Sequence, residues 1–449
     1  MESTTIGSEP VLDKREAETL EKEVQPIKKQ KVEPDSARPL PRSSRRKPDD
    51  FRSIDDLNSA EYYIEDGLRK VKPYFFKYQA YAKGRWLGRS LLSVFTEEFR
   101  DRSEQYYKYA IEKGLITIND KPVKIDTIVR NQDIIGHQIH RHEPPVTDKD
   151  IVIVNQDKDL YVVNKPGGIP VHPAGRYRHN TVIHVLRKTH SIPILFPANR
   201  LDRLTSGLML IALNAKRAQE LEREMTTGKI RKEYVCRVEG EFPEGEIVCE
   251  APIKTISFKL SLNYVHEDGK DCTTVFKRLS YNGKTSVVLC KPLTGRTHQI
   301  RVHLRYLGYP IANDPLYGNN TSWAPILHAG KHMSEEESKS LVDSLLANSE
   351  YQDGDWQPVA PVPLPVPTTN RAPESEPGLE SAPESVPESV TEEITSNEQK
   401  CDECSIALLA DPVQSDLYIW LHALRYSGED WAYETELPEW ATETFEDTS

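Results

Sequence analysis

The sequence has no hydrophobic run long enough to cross a membrane. Apolar residues make up 37% of its 449 residues, and none of their runs approaches the roughly 18 residues that a spanning helix needs. Residues 1–10 have no apolar core region and carry acidic side chains, so we expect neither a secretory signal nor an Arg-rich transit peptide. These features predict a cytoplasmic protein without a membrane partner.

Cysteine is scarce as well. Six scattered cysteines in a long chain indicate a reducing compartment rather than a disulfide framework. Cys401 and Cys404 have the spacing of a zinc knuckle, but the chain has no second pair of this kind. His328 and His332 could complete a tetrahedral site. We favour two reduced thiols near solvent, and we expect no metal.

The charge is unevenly distributed along the chain. The net charge is −12, but residues 331–449 hold about 5 Lys and Arg against about 27 Asp and Glu, which leaves the rest of the chain at about +10. A basic body with an acidic tail is compatible with a polyanionic partner such as nucleic acid. A tail that only improves solubility is the alternative.

Composition and periodicity divide the chain into segments. Proline is abundant, at 32 residues, so part of the chain is expected to be unstructured. The predicted segments are a disordered arm (1–50), an aromatic and basic extension (51–85), a small α+β module (86–145), the main domain (146–318), a largely disordered acidic Pro-rich insert or linker (319–414), a closing segment that packs on the main domain (415–442) and a disordered tail (443–449).

The most unusual stretch, Arg-Leu-Asp-Arg-Leu-Thr-Ser-Gly at residues 200–207, precedes an apolar strand. Asp202 lies between Arg200 and Arg203, and neighbouring positive charge keeps a carboxylate ionised. An ionised carboxylate on a turn in front of a buried strand can act as a nucleophile or a base. A surface ion pair is the alternative.

A second stretch, LTGRTHQIRVHL at residues 293–304, concentrates cations among apolar residues. Arg296, His298 and Arg301 could meet phosphates or a buried carboxylate. The alternative is a solvated basic helix. Alternating apolar residues connect this stretch to the core, which favours the first interpretation.

Four motifs occur in the order found in the RluA-type pseudouridine synthases: NKPGGIPVHP, RLDRLTSGL, KEYVCRVEG and GRTHQIRVHL. The chain resembles this family over about residues 86–318, and YIWLHALRY at residues 418–426 resembles the family's closing segment. It looks closest to the fungal branch that modifies uridine 32 of tRNA. Asn199 departs from the bacterial pattern, which has His before Arg-Leu-Asp.

The resemblance implies an α+β pseudouridine synthase fold with a mixed, mainly antiparallel central sheet and flanking helices. The module at residues 86–145, with GLITINDKPV and QDIIGHQI, resembles an S4-like RNA-binding domain that precedes the catalytic domain. Some related fungal enzymes work in mitochondria, and basic clusters in the arm could import the chain into the nucleus. Both compartments are therefore alternatives to the cytoplasm.

The resemblance also implies roles for individual residues. Asp202 would be the catalytic carboxylate, Tyr234 would stack on the target base and could remove its C5 proton, and Arg301 would pair with Asp202. Arg200 would enter the RNA helix when the base flips out. The residues predicted to bind RNA are Arg200, Arg203, Arg296 and His298. We expect tRNA as the partner, no cofactor and no obligate protein partner.

Other functions are open. The enzyme could act on another RNA, or the chain could be a non-catalytic RNA-binding or chaperone protein. Some fungal relatives carry a deaminase domain, but the chain lacks the His-x-Glu and Pro-Cys-x-x-Cys signature of zinc deaminases. We therefore predict no deaminase activity. Because no base is identifiable for Ser206, the Thr-Ser-Gly turn is expected to fix the backbone around Asp202.

Overall fold

The computed structural model describes residues 60–99, 102–257, 260–318, 323, 330, 333–348, 401–404, 408 and 410–445. The strands within these residues are β1 (Tyr62–Glu65), β2 (Leu68–Val71), β3 (Tyr74–Tyr81), β4 (Ile116–Ile118), β5 (Lys121–Pro122), β6 (Ile134–Arg141), β7 (Val146–Thr147), β8 (Val152–Gln156), β9 (Leu160–Lys165), β10 (Phe196–Pro197), β11 (Ser206–Ala212), β12 (Arg231–Glu239), β13 (Glu246–Cys249), β14 (Ile253–Ser257), β15 (Leu262–Val265), β16 (Thr274–Tyr281), β17 (Thr285–Pro292), β18 (Leu421–Ser427) and β19 (Ala432–Glu434).

The helices in the same part of the chain are α1 (Leu91–Val94), α2 (Glu104–Glu112), α3 (Val182–His190), α4 (Ala215–Thr226), α5 (Gln299–Tyr306) and α6 (Glu335–Asn348). A π-helical turn (Phe95–Phe99) extends α1, and short 3₁₀ turns cover Gly84–Trp86, Gln414–Leu417 and Glu439–Ala441. None of the described helices is long and apolar enough to cross a membrane.

A ten-stranded sheet forms the centre of the fold. Its order is β13-β16-β17-β12-β18-β11-β9-β8, with β10 on β11 and β19 on β18. Among the described pairings of this sheet, that of β11 with β18 is parallel and the others are antiparallel. The predicted α+β class with a mixed, mainly antiparallel central sheet is confirmed.

Strand β11 lies deep in this sheet because its sequence is continuously apolar. Every residue after Ser206 is buried, and a strand covered on both faces requires such a run. Helix α4 packs against β11, and its N-terminus is capped by Asn214, whose side chain accepts a hydrogen bond from the amide of Arg217 at 2.9 Å. The loop before β11, which carries Asp202, is therefore attached to a rigid element.

The C-terminal segment returns to the middle of the sheet. Strand β18 lies between β12 and β11, so the chain after residue 410 completes the layer that the earlier strands begin. Gly207 permits the close approach of β18. Its φ is +111°, and a Cβ there would collide with the backbone of Ala423. Glycine is needed at this position for both reasons.

A smaller sheet of order β3-β6-β4-β5 packs with α1 and α2 around its own core. Strand β3 falls in the stretch at 51–85, which we expected to be an aromatic and basic extension, and it pairs with β6 along its whole length. The small sheet therefore begins earlier in the chain than residue 86. The likeness of this module to an S4-like domain stays a prediction.

Helix α6 lies in the stretch at 319–414 that we expected to be a largely disordered insert or linker. Leu341 and Leu345, four residues apart on one face, are buried in the core of the main sheet. Met333 and Trp323 are buried in the same core. For these residues the expectation is wrong, because this apolar face packs on the core, whereas the Pro-rich repeats further on lie outside the described residues.

Candidate active site

Asp202 lies on the loop immediately before β11, and a buried lysine secures this loop. The ammonium group of Lys165, at the end of β9, donates to the carbonyl oxygens of Pro166 (2.8 Å), Ile169 (2.9 Å) and Arg203 (3.1 Å). Burial lowers the pKa of Lys165 to about 7, although the charge of Asp202 opposes this shift. Three carbonyls match the three donors of an ammonium group, so Lys165 joins the NKPGG loop to the Asp202 loop.

Arg301, in α5, bridges two carboxylates. Its Nη1 lies 3.3 Å from Oδ2 of Asp202. Its Nε and Nη2 donate to the two oxygens of Asp314 at 2.6 and 2.8 Å. This bidentate pair fixes the plane of the guanidinium group, so that its remaining edge faces Asp202.

Asp314 is a residue of this site that the sequence analysis missed. Its side chain is fully buried, and its Oδ1 also accepts hydrogen bonds from the amides of Leu316 (2.9 Å) and Tyr317 (3.0 Å). Burial opposes ionisation, but Arg301 and these amides lower the pKa of Asp314. Its only sequence signal, an Asp before Pro315, is typical of an ordinary turn.

The electrostatic environment keeps Asp202 ionised. About a quarter of its side-chain surface is accessible. Burial opposes ionisation, but positive groups outweigh it and lower the pKa of Asp202. Burial and then Arg301 lower the pKa of the nearby His298 to about 4, so this histidine is neutral at pH 7. With His298 neutral, Arg301 and then Arg200 are the cations that lower the pKa of Asp202.

His298 lies against the same carboxylate in a left-handed backbone conformation. Its φ is +57° at the start of α5, which is uncommon for a residue other than glycine. Its Nε2 is 3.6 Å from Oδ2 of Asp202, and its Nδ1 is 3.0 Å from the hydroxyl oxygen of Tyr317. The sequence predicted contact with RNA for His298, whereas the structure places it next to Asp202 with little exposure.

Tyr234, on β12, belongs to a chain of three polar side chains. Its hydroxyl lies 2.8 Å from the hydroxyl of Tyr426 on the neighbouring β18. The Tyr426 hydroxyl also accepts a hydrogen bond from Nδ2 of Asn199 at 3.1 Å. Oδ1 of Asn199 accepts from the amide of Leu210 at 3.2 Å, which orients the side chain. Burial and the charge of Asp202 raise the pKa of Tyr234 to about 12, against the effect of Tyr426. The phenol is therefore neutral.

The other arginines predicted from the sequence, Arg200, Arg203 and Arg296, are more accessible than Arg301. Arg200 and Arg296 are exposed, and the Arg296 guanidinium donates to the carbonyl oxygen of Asp271 at 3.0 and 3.2 Å. The backbone carbonyl of Arg203 accepts hydrogen bonds from the amide of Gly168 and from Lys165. Arg301, by contrast, lies 3.3 Å from the carboxylate of Asp202.

Ser206 has an imidazole partner that the sequence analysis did not find. Its hydroxyl oxygen lies 2.8 Å from Nδ1 of His422, whose Nε2 lies 2.7 Å from the hydroxyl of Thr435. Burial lowers the pKa of His422 to about 4, so the ring is neutral. Ser206 and His422 are register partners on the parallel strands β11 and β18, and their contact ties these strands together beside the Asp202 loop.

The site thus combines an ionised, partly accessible carboxylate, a fixed arginine and a neutral phenol. Such a carboxylate can attack an electron-poor carbon or remove a proton. Within the described residues, the one cluster of side chains suited to a metal consists of His140, His142, Cys401 and Cys404, none of which belongs to this site.

Comparison with known proteins gives consistent matches. The family model for RNA pseudouridylate synthase matches residues 159–306. Pseudouridylate synthase RPUSD2 of Mus musculus is 40% identical over 421 residues, covering 88% of this chain and 76% of that protein. The mitochondrial tRNA pseudouridine(32) synthase of Saccharomyces cerevisiae is 41% identical over 394 residues, covering 85% and 78%. The tRNA pseudouridine(31) synthase of the same yeast is 32% identical over 425 residues, covering 85% and 97%.

Proposed function

This chain belongs to the RluA-type family of RNA pseudouridine synthases, and from that premise we propose that it isomerises uridine 32 in the anticodon stem-loop of tRNA. The family makes it an isomerase acting on RNA. Our proposal adds the position in tRNA, Asp202 as the catalytic carboxylate and a target base that leaves the RNA stack. The observation that supports it best is the ionised carboxylate of Asp202, which Arg301 holds at the end of a buried strand.

The reaction requires a carboxylate at the sugar. The N1–C1′ bond of the nucleotide must break, the detached uracil must turn, and C1′ must then join C5, which loses a proton. An anion near C1′ stabilises the positive charge that develops there, or forms a covalent bond with the sugar, or removes a sugar proton. The ionised Asp202 is suited to each of these steps, and Arg301 keeps it charged and oriented.

Tyr234 is suited to hold the uracil. Its phenol is neutral, and an aromatic ring offers a stacking face to the base. If Asn199 donates to Tyr426 and Tyr426 donates to Tyr234, the proton of Tyr234 is available to the substrate. We therefore propose that Tyr234 packs against the base and donates a hydrogen bond. Proton removal from C5 would first require the phenol itself to lose its proton.

We assign the contact with RNA to three arginines that are exposed or partly exposed. A base inside a stem or loop must leave its stack to reach Asp202, at a cost of a few kcal/mol. We propose that Arg200 occupies the vacated space and that Arg203 and Arg296 contact phosphates. His298 is assigned to the carboxylate instead, because its imidazole is nearly buried against Asp202.

The position in the anticodon loop can be tested directly, since similar yeast proteins are named for positions 32 and 31. Purified enzyme would be incubated with tRNA transcripts that have uridine at 31, at 32 or at both, and pseudouridine would be mapped by chemical modification and primer extension. We expect the product at 32 whenever uridine is present there. Pseudouridine at position 31 alone would reject the proposed position, but it would still show that the protein isomerises uridine.

A non-catalytic RNA-binding role is the competing function. It predicts that an Asp202→Ala gene restores every phenotype of a deletion, whereas the catalytic role predicts that it restores none that depends on the modification. Activity on ribosomal or messenger RNA alone would indicate another substrate. We also propose the cytoplasm as the compartment. The yeast relative named mitochondrial provides the alternative, and fractionation of cells with the full-length tagged chain distinguishes the two.

A further inference from the structure

Four potential metal ligands from distant parts of the sequence meet at the end of the small sheet. His140 is in β6 and His142 follows the end of that strand, while Cys401 and Cys404 lie on a turn far along the chain. The nitrogen or sulfur atoms that these four residues can offer to a metal all lie within 4.8 Å of one another. We propose that these two histidines and two cysteines bind one structural zinc ion.

The separations in the cluster match those in a zinc site. Zinc binds sulfur at about 2.3 Å and nitrogen at about 2.0–2.1 Å, so two such ligands at a tetrahedral angle lie about 3.6 Å apart. Sγ of Cys401 is 3.6 Å from Nδ1 of His140, and Sγ of Cys404 is 3.2 Å from Nε2 of His142. Small adjustments of the side chains would bring all four ligands to one centre.

The spacing of the four ligands in the sequence is suited to a structural zinc site. Residues i and i+2 of an extended chain lie on the same face, which places both histidines on one side of β6 and its continuation. The Cys-x-x-Cys turn provides two sulfur atoms at the spacing of structural zinc sites. Four protein ligands would leave no open position, so the site is structural rather than catalytic.

A carboxylate supports one of the proposed ligands. Nε2 of His140, the nitrogen that faces away from Cys401, lies 3.2 Å from Oε2 of Glu403. When zinc-bound histidines donate their other N–H to a carboxylate, the ring is fixed and becomes a better ligand. Glu403 is in the position to do this, between the two cysteines in sequence.

A thiol–imidazole contact elsewhere in the protein shows how this four-residue cluster differs from an isolated cysteine–histidine pair. Sγ of Cys272 is 3.4 Å from Nε2 of His303, but that ring also contacts the hydroxyl of Thr274 and the carbonyl of Ala251, both at 2.9 Å. Ordinary hydrogen bonds account for this isolated pair. The other cluster brings two thiols and two imidazoles together, and a metal is the simplest common partner for them.

The site would secure the approach to the catalytic sheet. Further along the same segment of chain, Asp411 pairs with Lys70, and the side chain of Gln414 donates to the carbonyl of Gly67. These contacts hold the chain that leads to β18 against the N-terminal strands. Zinc would therefore stabilise the segment that brings His422 and Tyr426 to the active site. His328 and His332, the partners considered from sequence, lie outside the described residues.

Elemental analysis of the untagged full-length protein is the first test. After gel filtration in metal-free buffer, we expect about one zinc per chain, and we expect less than about a tenth of this in a Cys401→Ser/Cys404→Ser double variant. A Cys272→Ser variant should retain the full zinc content. Zinc-free protein from zinc-supplemented cells would overturn the proposal, and so would zinc that survives the double substitution.

A measurement on the unsubstituted chain keeps the test independent of whether the variants fold. Cobalt(II) would be exchanged into the protein after removal of zinc with a chelator. Two cysteine ligands predict a thiolate-to-cobalt charge-transfer band and intense visible bands of tetrahedral cobalt. Spectra of octahedral cobalt, or a disulfide between Cys401 and Cys404 in the freshly purified protein by mass spectrometry, would contradict the proposed site.

Glu403 offers a finer test of the geometry. Loss of an outer-shell partner typically weakens metal binding by about 10–100-fold, and for this exposed carboxylate we expect about tenfold for Glu403→Gln. Asp402→Asn removes the same charge from the neighbouring residue and should leave the affinity unchanged. Chelator competition measures both. Equal affinities for these two variants would show that Glu403 does not support His140.

Discussion

The two carboxylates on either side of Arg301 have similar chemistry but different surroundings. Asp314 is fully buried, takes a bidentate pair at 2.6 and 2.8 Å and accepts two backbone amides. Asp202 is about one-quarter accessible and receives one longer contact from Arg301 at 3.3 Å. The first carboxylate accepts four hydrogen bonds from within the protein, whereas the second has acceptor positions left for a substrate. Asp314 orients the arginine, and Asp202 is available for reaction.

Removing the shared arginine should have the largest effect. Arg301→Gln leaves Asp314 buried without its counter-ion, and breaking a buried pair in this way costs about 3–5 kcal/mol of stability. It also removes the cation in direct contact with the Asp202 carboxylate, so activity should fall at least about a hundredfold. Thermal unfolding and label release from RNA labelled at C5 of uridine measure the two losses.

Arg305→Gln is the matched control on the same helix. Arg305 lies over the ring of Trp323 at 5.2 Å, so its loss should cost about 1–2 kcal/mol of stability and leave the reaction largely intact. Equal losses of activity in the two variants would contradict the claim that Arg301 acts through its contacts with the two carboxylates.

Asp314→Asn should separate stability from chemistry. The amide keeps the shape but loses the charge that pairs with Arg301, so we expect about 2–3 kcal/mol of destabilisation and a smaller loss of activity than for Asp202. Asp268→Asn, which removes an exposed partner of Lys254, should cost less than about 1 kcal/mol. Full stability of Asp314→Asn would indicate that Asp314 does not anchor the arginine.

Tyr426→Phe should have a smaller effect. It removes the hydroxyl between Asn199 and Tyr234, and a lost hydrogen bond of this kind costs about 1–2 kcal/mol. If this hydroxyl orients Tyr234 for the base, kcat should fall about tenfold with little change in RNA affinity. Tyr281→Phe removes a hydroxyl from an exposed turn and serves as control. A wild-type kcat in Tyr426→Phe would show that the hydrogen bonds joining Asn199, Tyr426 and Tyr234 do not contribute to the reaction.

The smallest expected effect is on the pH dependence of the free energy of unfolding. The pKa of Asp314 lies below its usual value of 3.8, so its charge stabilises the folded chain above that pH and the contribution disappears as pH falls through the lowered pKa. The stability difference between the wild type and Asp314→Asn should therefore be constant from about pH 5 to about pH 8 and narrow below about pH 3.8. A difference that narrows near pH 6 would contradict the lowered pKa.

The sequence could place the elements that carry the key residues of this site, because the elements show local patterns, whereas the roles of Tyr234 and Arg301 came from the resemblance to the family. The loop of Asp202, the strand of Tyr234 and the helix of Arg301 each follow from hydrophobic periodicity and turn signals. Asp314 could not be found in this way, because its importance comes from burial against Arg301 rather than from its neighbours in sequence. The contact of Ser206 with His422 depends in the same way on the pairing of two distant strands.

The central sheet and the predicted linker also show where prediction from the sequence fails. The class of sheet followed from the sequence motifs, but the position of β18 between β12 and β11 depends on a backbone approach that only Gly207 permits. The acidic and Pro-rich surroundings of residues 335–348 predict a linker, yet Leu341 and Leu345 give one helical face enough apolar surface to pack. Average composition concealed this short pattern.

The most direct test of the account is the release of label from C5 of uridine in an unmodified tRNA transcript, comparing the wild type with Asp202→Asn. The amide keeps the shape of the side chain and lacks its charge, so we expect RNA binding and thermal stability close to the wild type. Release should fall at least about a thousandfold. Release by the variant at the wild-type rate, with binding and folding intact, would contradict the assignment of Asp202 as the catalytic carboxylate.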